Sequence, residues 1–351
     1  MKHYLFRYLS VLFLQRLLIA VLAMVTLLGV LDALGNADKL PDGAGFAGQM
    51  RYMWLRLPIL FDRTIVFALL LAVLLTYASL FRRNELVIIS AAGVSIFGQI
   101  RLLIPVVLAA GIASAILIDR VSPPASRALH AWLGSEALQE DSQAPERLWL
   151  SDGPRLIELQ DLQQDTLRGI TIFERDAKGA VISITTAESA RPVKGGWELS
   201  QTRQQRFDGA VMEADNFWPS PQTPESLRKL MTEPRDMSFA DLMSFNKMRG
   251  SGSRPSSAYL LWALNRISLP LTCLGFLVLA VPIMQLYGRR DSSDMALATG
   301  VAAGFGFMVV DGVLKTLAEN GNFSAVLAVT LPTLALVGAG LWLALQKEER
   351  R

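Results

Sequence analysis

Residues 64–81 read TIVFALLLAVLLTYASLF, eighteen positions without a single charge. A helix needs about 20 apolar residues to cross the hydrocarbon core of a bilayer, and a charge near either end can reach back to the headgroups. The stretch therefore reads as a membrane span. Working outward, uncharged runs recur at 17–31 and 102–118 on either side, and at 267–288, 295–310 and 323–346 later in the chain. The shorter first and fifth runs reach spanning length with Val11 to Leu14 and Leu314 to Leu317. The count is six spans, three before and three after a long central segment. Composition agrees, with 52% hydrophobic and only 19% charged residues, where a soluble domain carries roughly a quarter charged.

Lys2, Arg7 and Arg16 before the first run also fit a secretory leader cleaved near Ala33-Leu34-Gly35,. The early start of the apolar region and the five spans that follow favour a retained anchor instead.

Basic residues sort the short connections. The N-terminal tail, the 82–101 loop, Arg289-Arg290 and the C-terminal tail hold eleven Lys and Arg, against five (Lys39, Arg51, Arg56, Arg63, Lys315) on the opposite side. The bias places both termini in the cytoplasm and residues 119–266 outside it, which in a bacterium is the periplasm. That segment carries 18 Lys/Arg against 20 Asp/Glu, so the net charge of +3 is no sign of nucleic-acid binding,.

Within it, Ser122-Pro123-Pro124 is expected to end or bend the third span, with an amphipathic continuation over 125–140. Strand signals follow. Leu148-Trp149-Leu150 and Leu156 to Leu159 flank Asp152-Gly153; 169–174 and 180–187 flank the turn 176–179; 197–207 and 210–217 flank Asp208-Gly209. Short apolar and aromatic runs between Gly/Asp turns predict an antiparallel sandwich or open roll, jelly-roll-like in kind. Pro219, Pro221 and Pro224 mark an irregular exit, and Ser238 with Asp241 opens a helix to about Arg249,. The division is thus 1–121 with three spans, 122–254 for the β domain and its exit helix, and 255–351 with three more.

Catalytic chemistry finds no foothold. The phosphate-binding pattern G-x-x-x-x-G-K-[ST] is absent, Cys273 is the lone cysteine, and His3 and His130 are the only histidines. Neither a metal centre nor a cofactor is expected, and the chain is not read as an enzyme. Ionisable residues deep in the spans, the mark of ion-driven transport, are also scarce: Arg16, Asp62, Arg63 and Asp311 lie near span ends.

The loop Arg83-Asn84-Glu85-Leu86-Val87-Ile88-Ile89-Ser90-Ala91-Ala92-Gly93, set in a three-plus-three arrangement around a β domain, resembles the LptF/LptG permease subunits of the lipopolysaccharide export ABC transporter. The fifth span, with Gly300, Gly304-Phe305 and Phe307 to Asp311, and the later Leu331-Pro332 look like the G subunit, as does Leu148-Trp149 before Asp152-Gly153. The resemblance implies a bacterial inner-membrane permease that extracts lipopolysaccharide and passes it to a periplasmic bridge. It further implies a homologous LptF-like subunit, a cytoplasmic LptB-like ATPase dimer that supplies the energy, and LptC-like and LptA-like bridge proteins. One position departs from the pattern. Asp32 stands where some G subunits carry a lysine near the end of the first span, which suggests a site that repels phosphate.

Candidate residues follow from both readings. A short helix within 84–98 presents Leu86, Ile89 and Gly93 on one face behind Arg83 and Glu85, and the resemblance makes it the element that couples to the ATPase. On the residues alone it is equally a surface helix on lipid headgroups with Glu85 facing the helix dipole. Lys39, Arg56, Arg127, Arg266 and Lys315 sit at the depth where lipid A phosphates would meet cations,; interfacial anchoring is the alternative. Gly300 and Gly304 form a close-packing pair, and the resemblance places the fifth span, with Phe305, at a gate. The strand edges of the β domain either accept a partner strand or are covered. A membrane-anchored sensor or assembly factor with a ligand-binding periplasmic domain is the competing function. The short cytoplasmic segments leave such a sensor no output domain.

Overall fold

The computed structural model describes residues 2–40, 45–133, 148–163, 165–176, 179–206, 211–212, 216–220, 222–231, 233–247, 254–286 and 293–349. In chain order the helices are α1 (Lys2–Gly35), α2 (Gly45–Arg82), α3 (Glu85–Ala91) and α4 (Ile96–Leu133). After the strands come α5 (Pro224–Met231), α6 (Phe239–Lys247), α7 (Ser256–Leu286), α8 (Ser293–Glu319) and α9 (Ala325–Glu349). Six of them, α1, α2, α4, α7, α8 and α9, are long and apolar enough to cross a membrane. The chain divides into two compact units: residues 1–129, 263–318 and 322–351 form a helical unit, and 130–262 with 319–321 form a second.

The helical unit is built around α2 and α7. Each buries 67% of its most apolar window within the protein, against 17% for α1 and 11% for α8. Leu69, Leu70, Val73, Leu74 and Tyr77 of α2 meet Leu103 and Val107 of α4 and Cys273, Phe276 and Ala280 of α7 in one core. Small residues allow the close approaches. A Cβ on Gly304 would fall 2.0 Å from Leu70 Cδ2 and one on Gly300 2.5 Å from Leu74 Cδ2, so the glycine pair of α8 rides on the leucines of α2. Gly340 of α9 lies against α7 backbone, where a Cβ would sit 2.6 Å from the Val278 carbonyl carbon. One polar link crosses this apolar interior. Gln285 Nε2 of α7 donates to Gln99 Oε1 of α4 at 2.9 Å, and both side chains are buried.

The third span neither ends nor is replaced at Pro123-Pro124. Helix α4 continues to Leu133. Proline's fixed φ suits a helix, and the cost lies in the lost N–H donors. Here that cost falls where the helix is tightly packed: Ser122 and Ser126 are buried, and Ser122 Oγ donates to the Pro58 carbonyl of α2 at 3.1 Å. The expected continuation beyond 133 lies outside the described residues.

The second unit carries one antiparallel eight-stranded sheet: β1 (Leu148–Asp152), β2 (Arg155–Gln163), β3 (Thr166–Arg175), β4 (Val181–Val193), β5 (Gly196–Ser200), β6 (Arg203–Arg206), β7 (Val211–Met212) and β8 (Phe217–Pro219). The main order is β1-β2-β3-β4-β5-β8, with β6 between β4 and β7. Every hairpin between consecutive strands is thus a meander step. The stretch expected as one strand over 197–207 is two. Gln201 adopts φ +54°, and β5 and β6 pair with β4 in a single register, Ser189 opposite Ser200 and Thr186 opposite Arg203. On the far side the register slips by one, Trp197 facing Trp218 but Gln204 facing Met212. An extra residue on one strand of a pair is a bulge, which bends the ladder and increases its twist. The turn at 207–210 lies outside the described residues.

Trp197 and Trp218 are fully buried and stacked with ring centroids 6.3 Å apart, and Trp197 Nε1 donates to the Gln222 carbonyl at 2.9 Å. Gly196 is required beside them, since a Cβ there would fall 2.2 Å from the Trp218 carbonyl oxygen. The exit helix α6 is capped as expected, with the Asp241 N–H donating to Ser238 Oγ at 3.2 Å,. Its Phe245 lies 5.6 Å from Tyr259, and Arg235 stacks 5.0 Å over Trp262, whose Nε1 donates to Glu319.

Candidate functional site

The loop that carries the family motif folds as α3, a seven-residue helix bracketed by two left-handed residues, Asn84 at φ +57° and Gly93 at φ +80°. These brackets turn the chain sharply out of α2 and into α4. Leu86 and Ile89 are buried, and Leu86 joins the core formed by α2, α4 and α7. The expected docking face is therefore the inner face of the helix. The opposite side is open: Val87 is 64% and Ile88 66% exposed, with Ala91, Ala92 and Gly93 also exposed beside Arg82, Arg83 and Asn84. Hydrophobic pairing within the chain consumes Leu86 and Ile89 and leaves Val87, Ile88 and Ala91 for an outside surface. Arg82 Nη2 meets Asp294 Oδ1 of α8 at 2.9 Å, both well exposed.

Glu85 is held. Tyr8 Oη of α1 donates to Glu85 Oε2 at 2.6 Å. Nothing in the pattern pointed to Tyr8, which lies 77 positions earlier and reads as one more interfacial aromatic.

At the other end of α1, Asp32 accepts two hydrogen bonds from one guanidinium, Arg56 Nε at 2.9 Å and Arg56 Nη2 at 3.2 Å, and a third from Tyr52 Oη at 2.8 Å. The side chains of Arg56 and Asp32 are 15% and 17% exposed. A bidentate pair of this kind is among the stronger polar contacts available to a protein. It corrects two expectations. Asp32 does not present a bare negative charge, and Arg56 is engaged within the chain. Tyr52 and Arg56 are four apart, so one face of α2 aims both at a single acceptor; that spacing was the legible signal.

The remaining rim cations separate. Lys315 Nζ pairs with Asp311 Oδ2 at 2.6 Å, one turn back on α8. Arg266 is buried within the helical unit. Arg127 is exposed on α4, and the side chain of Lys39 lies outside the described residues. The structure does not gather these five into one cationic patch. Of the gate candidates, Gly300 and Gly304 face α2, as packing residues do, while Phe305 is 63% exposed on the outer side of α8. Among the described residues no three His, Cys, Asp or Glu side chains gather where a metal ion would sit.

The family model described as lipopolysaccharide export system permease LptF/LptG matches residues 7–346. The chain belongs to the LptF/LptG family. Its function is accordingly that of a lipopolysaccharide export permease, and its place is the inner membrane, which it crosses several times. Relatives agree. The permease is 23% identical to the export permease protein LptG of Escherichia coli K12 over 97% of its own length and 98% of the relative's, and equally to that of strain CFT073. The LptG of Haemophilus influenzae is 22% identical over 80% of this chain and 81% of its own. The likeness to LptG found in the fifth span and the 82–93 loop thus extends over the whole permease.

Proposed function

We propose that this chain is the LptG-like half of a heterodimeric permease that lifts lipopolysaccharide from the outer leaflet of the inner membrane, powered by a separate ATPase dimer docked on α3. The observation that carries the reading is the helix itself: an exposed apolar face of Val87, Ile88 and Ala91, fixed to the membrane core through Leu86 and edged by Arg83 and Glu85. A short apolar helix set on a rigid base fits a groove on a partner, and force applied there reaches the spans directly. The partners are an LptF-like subunit, an LptB-like ATPase, and LptC-like and LptA-like proteins that continue the path through the periplasm. Both termini face the cytoplasm and the sheet faces the periplasm, on the strength of the Lys/Arg bias. Strand β8 ends on Pro219, which has no N–H to offer,; β1 has no proline and is the edge suited to an added strand. For the lipid phosphates, Arg127 is the cation that stands open, and Arg56 and Lys315 bind phosphate by exchanging a carboxylate for it.

The test is Glu85→Lys in the full complex. It is expected to lower ATPase association or lipopolysaccharide-stimulated ATP hydrolysis by an order of magnitude while the chain still inserts, an effect comparable to losing about 1.5–3 kcal/mol of charge-assisted contact. Wild-type assembly and hydrolysis in that variant would show α3 to be only a surface helix.

A further inference from the structure

Helix α1 is tied to its neighbours by polar contacts of unequal strength. At one end is the bidentate Asp32–Arg56 pair. Midway, Arg16 Nη2 reaches Ser79 Oγ at 3.5 Å. At the other end is the Tyr8–Glu85 hydrogen bond at 2.6 Å. The first is mostly shielded from water. The last is open, with Tyr8 itself 41% exposed, and Arg83 lies close enough to act on the same hydroxyl. An exposed neutral donor on a carboxylate is a contact that water or an arriving cation replaces at small cost. Between its ends α1 buries only 17% of its apolar window, so little packing resists its movement. Glu85 is the first residue of α3, and Tyr8 lies within the first span, 77 residues earlier.

We propose that Tyr8 is a positioning residue that joins the docking helix to the first span: its hydroxyl holds Glu85, so that a displacement of α3 by the ATPase is passed to α1. The inference rests on the docking role of α3 and adds a route by which that docking moves a span. The well-anchored Asp32 end stays in place, and the Tyr8 end travels with α3. Removing the hydroxyl takes away the link without touching the charge of Glu85 or the apolar docking face. The expected result is a transporter that still assembles and burns ATP but moves less lipid for each ATP.

The experiment uses the permease complex with its partner subunit and ATPase, reconstituted in proteoliposomes loaded with lipopolysaccharide. Tyr8→Phe is expected to keep assembly and ATP hydrolysis within about twofold of wild type and to deliver about fivefold less lipopolysaccharide per ATP, the factor that one hydrogen bond represents. Tyr4→Phe, one turn earlier and 79% exposed, is expected to match wild type. Wild-type yield per ATP in Tyr8→Phe overturns the proposal, and so does a loss of assembly that accounts for the whole defect. Glu85→Lys, run in parallel, separates the two readings. If it assembles and hydrolyses ATP normally, the docking role fails and the link falls with it; if it is impaired while Tyr8→Phe transports normally, the link alone fails.

Discussion

Helices α2 and α7 and helices α1 and α8 are equally apolar and differently used. The best windows of α2 and α1 have mean hydropathies of 2.4 and 2.6, yet 67% of one and 17% of the other is buried within the protein. In water, apolar surface measures what will be hidden by protein. In a bilayer it measures only what lipid will accept, because lipid tails are as apolar as leucine. Burial here is decided by shape instead: Gly300, Gly304 and Gly340 let backbones approach, and the leucines of α2 fill the space. The outward faces, Leu22, Leu27 and Leu31 on α1 and Phe305, Val309 and Val313 on α8, are left for lipid or for another subunit.

The contrast can be broken at three levels. The largest effect is expected from Gly340→Val, because the added atoms meet the Val278 and Leu279 backbone of α7 within 2.7 Å and backbone cannot step aside. A loss of about 3 kcal/mol should appear in denaturant titration of the detergent-solubilised chain, and a near-neutral result would mean that α9 does not sit on α7. Next is Asp32→Ala, which strands a mostly buried Arg56 and should cost about 2 kcal/mol in the same titration; wild-type stability would show that packing with α2 suffices to hold α1. The smallest is Phe305→Ala. With the ring 63% exposed, stability should stay within about 0.5 kcal/mol, and a cost comparable to that of Gly340→Val would erase the distinction between the two helix classes.

Much of this architecture was readable from the residues. Charge-free runs marked all six spans, because a charge in hydrocarbon is expensive and its absence is conspicuous. Gly/Asp turns marked the first two hairpins, which the pairings of β1 with β2 and β3 with β4 follow. The break at Gln201 was hidden, since a left-handed glutamine leaves no mark on composition. The site was legible by half. The motif located α3, but the side of it that faces out depends on the core beneath, and Leu86, Val87, Ile88 and Ile89 look alike as letters. The partners of Glu85, Asp32 and Lys315 lie one helical turn to 77 residues away. For Lys315 and for Tyr52 with Arg56 the four-residue spacing was a usable clue. For Tyr8 there was none.

The Gln99–Gln285 link has a consequence in time. The two glutamines are 186 residues apart in the chain, with the entire sheet between them. A ribosome adding roughly 5–20 residues per second needs about ten to forty seconds to pass from one to the other. Through that interval the face of α2 destined for α7 has lipid for a neighbour, and Gln99 carries an amide into the bilayer without its mate. The first three spans are therefore a provisional assembly at birth, able to drift against one another. The arrival of α7 stops the drift: a displacement by one helical turn would leave two amides unmatched in hydrocarbon, so a single pair of glutamines sets the alignment of two halves that were made at different moments.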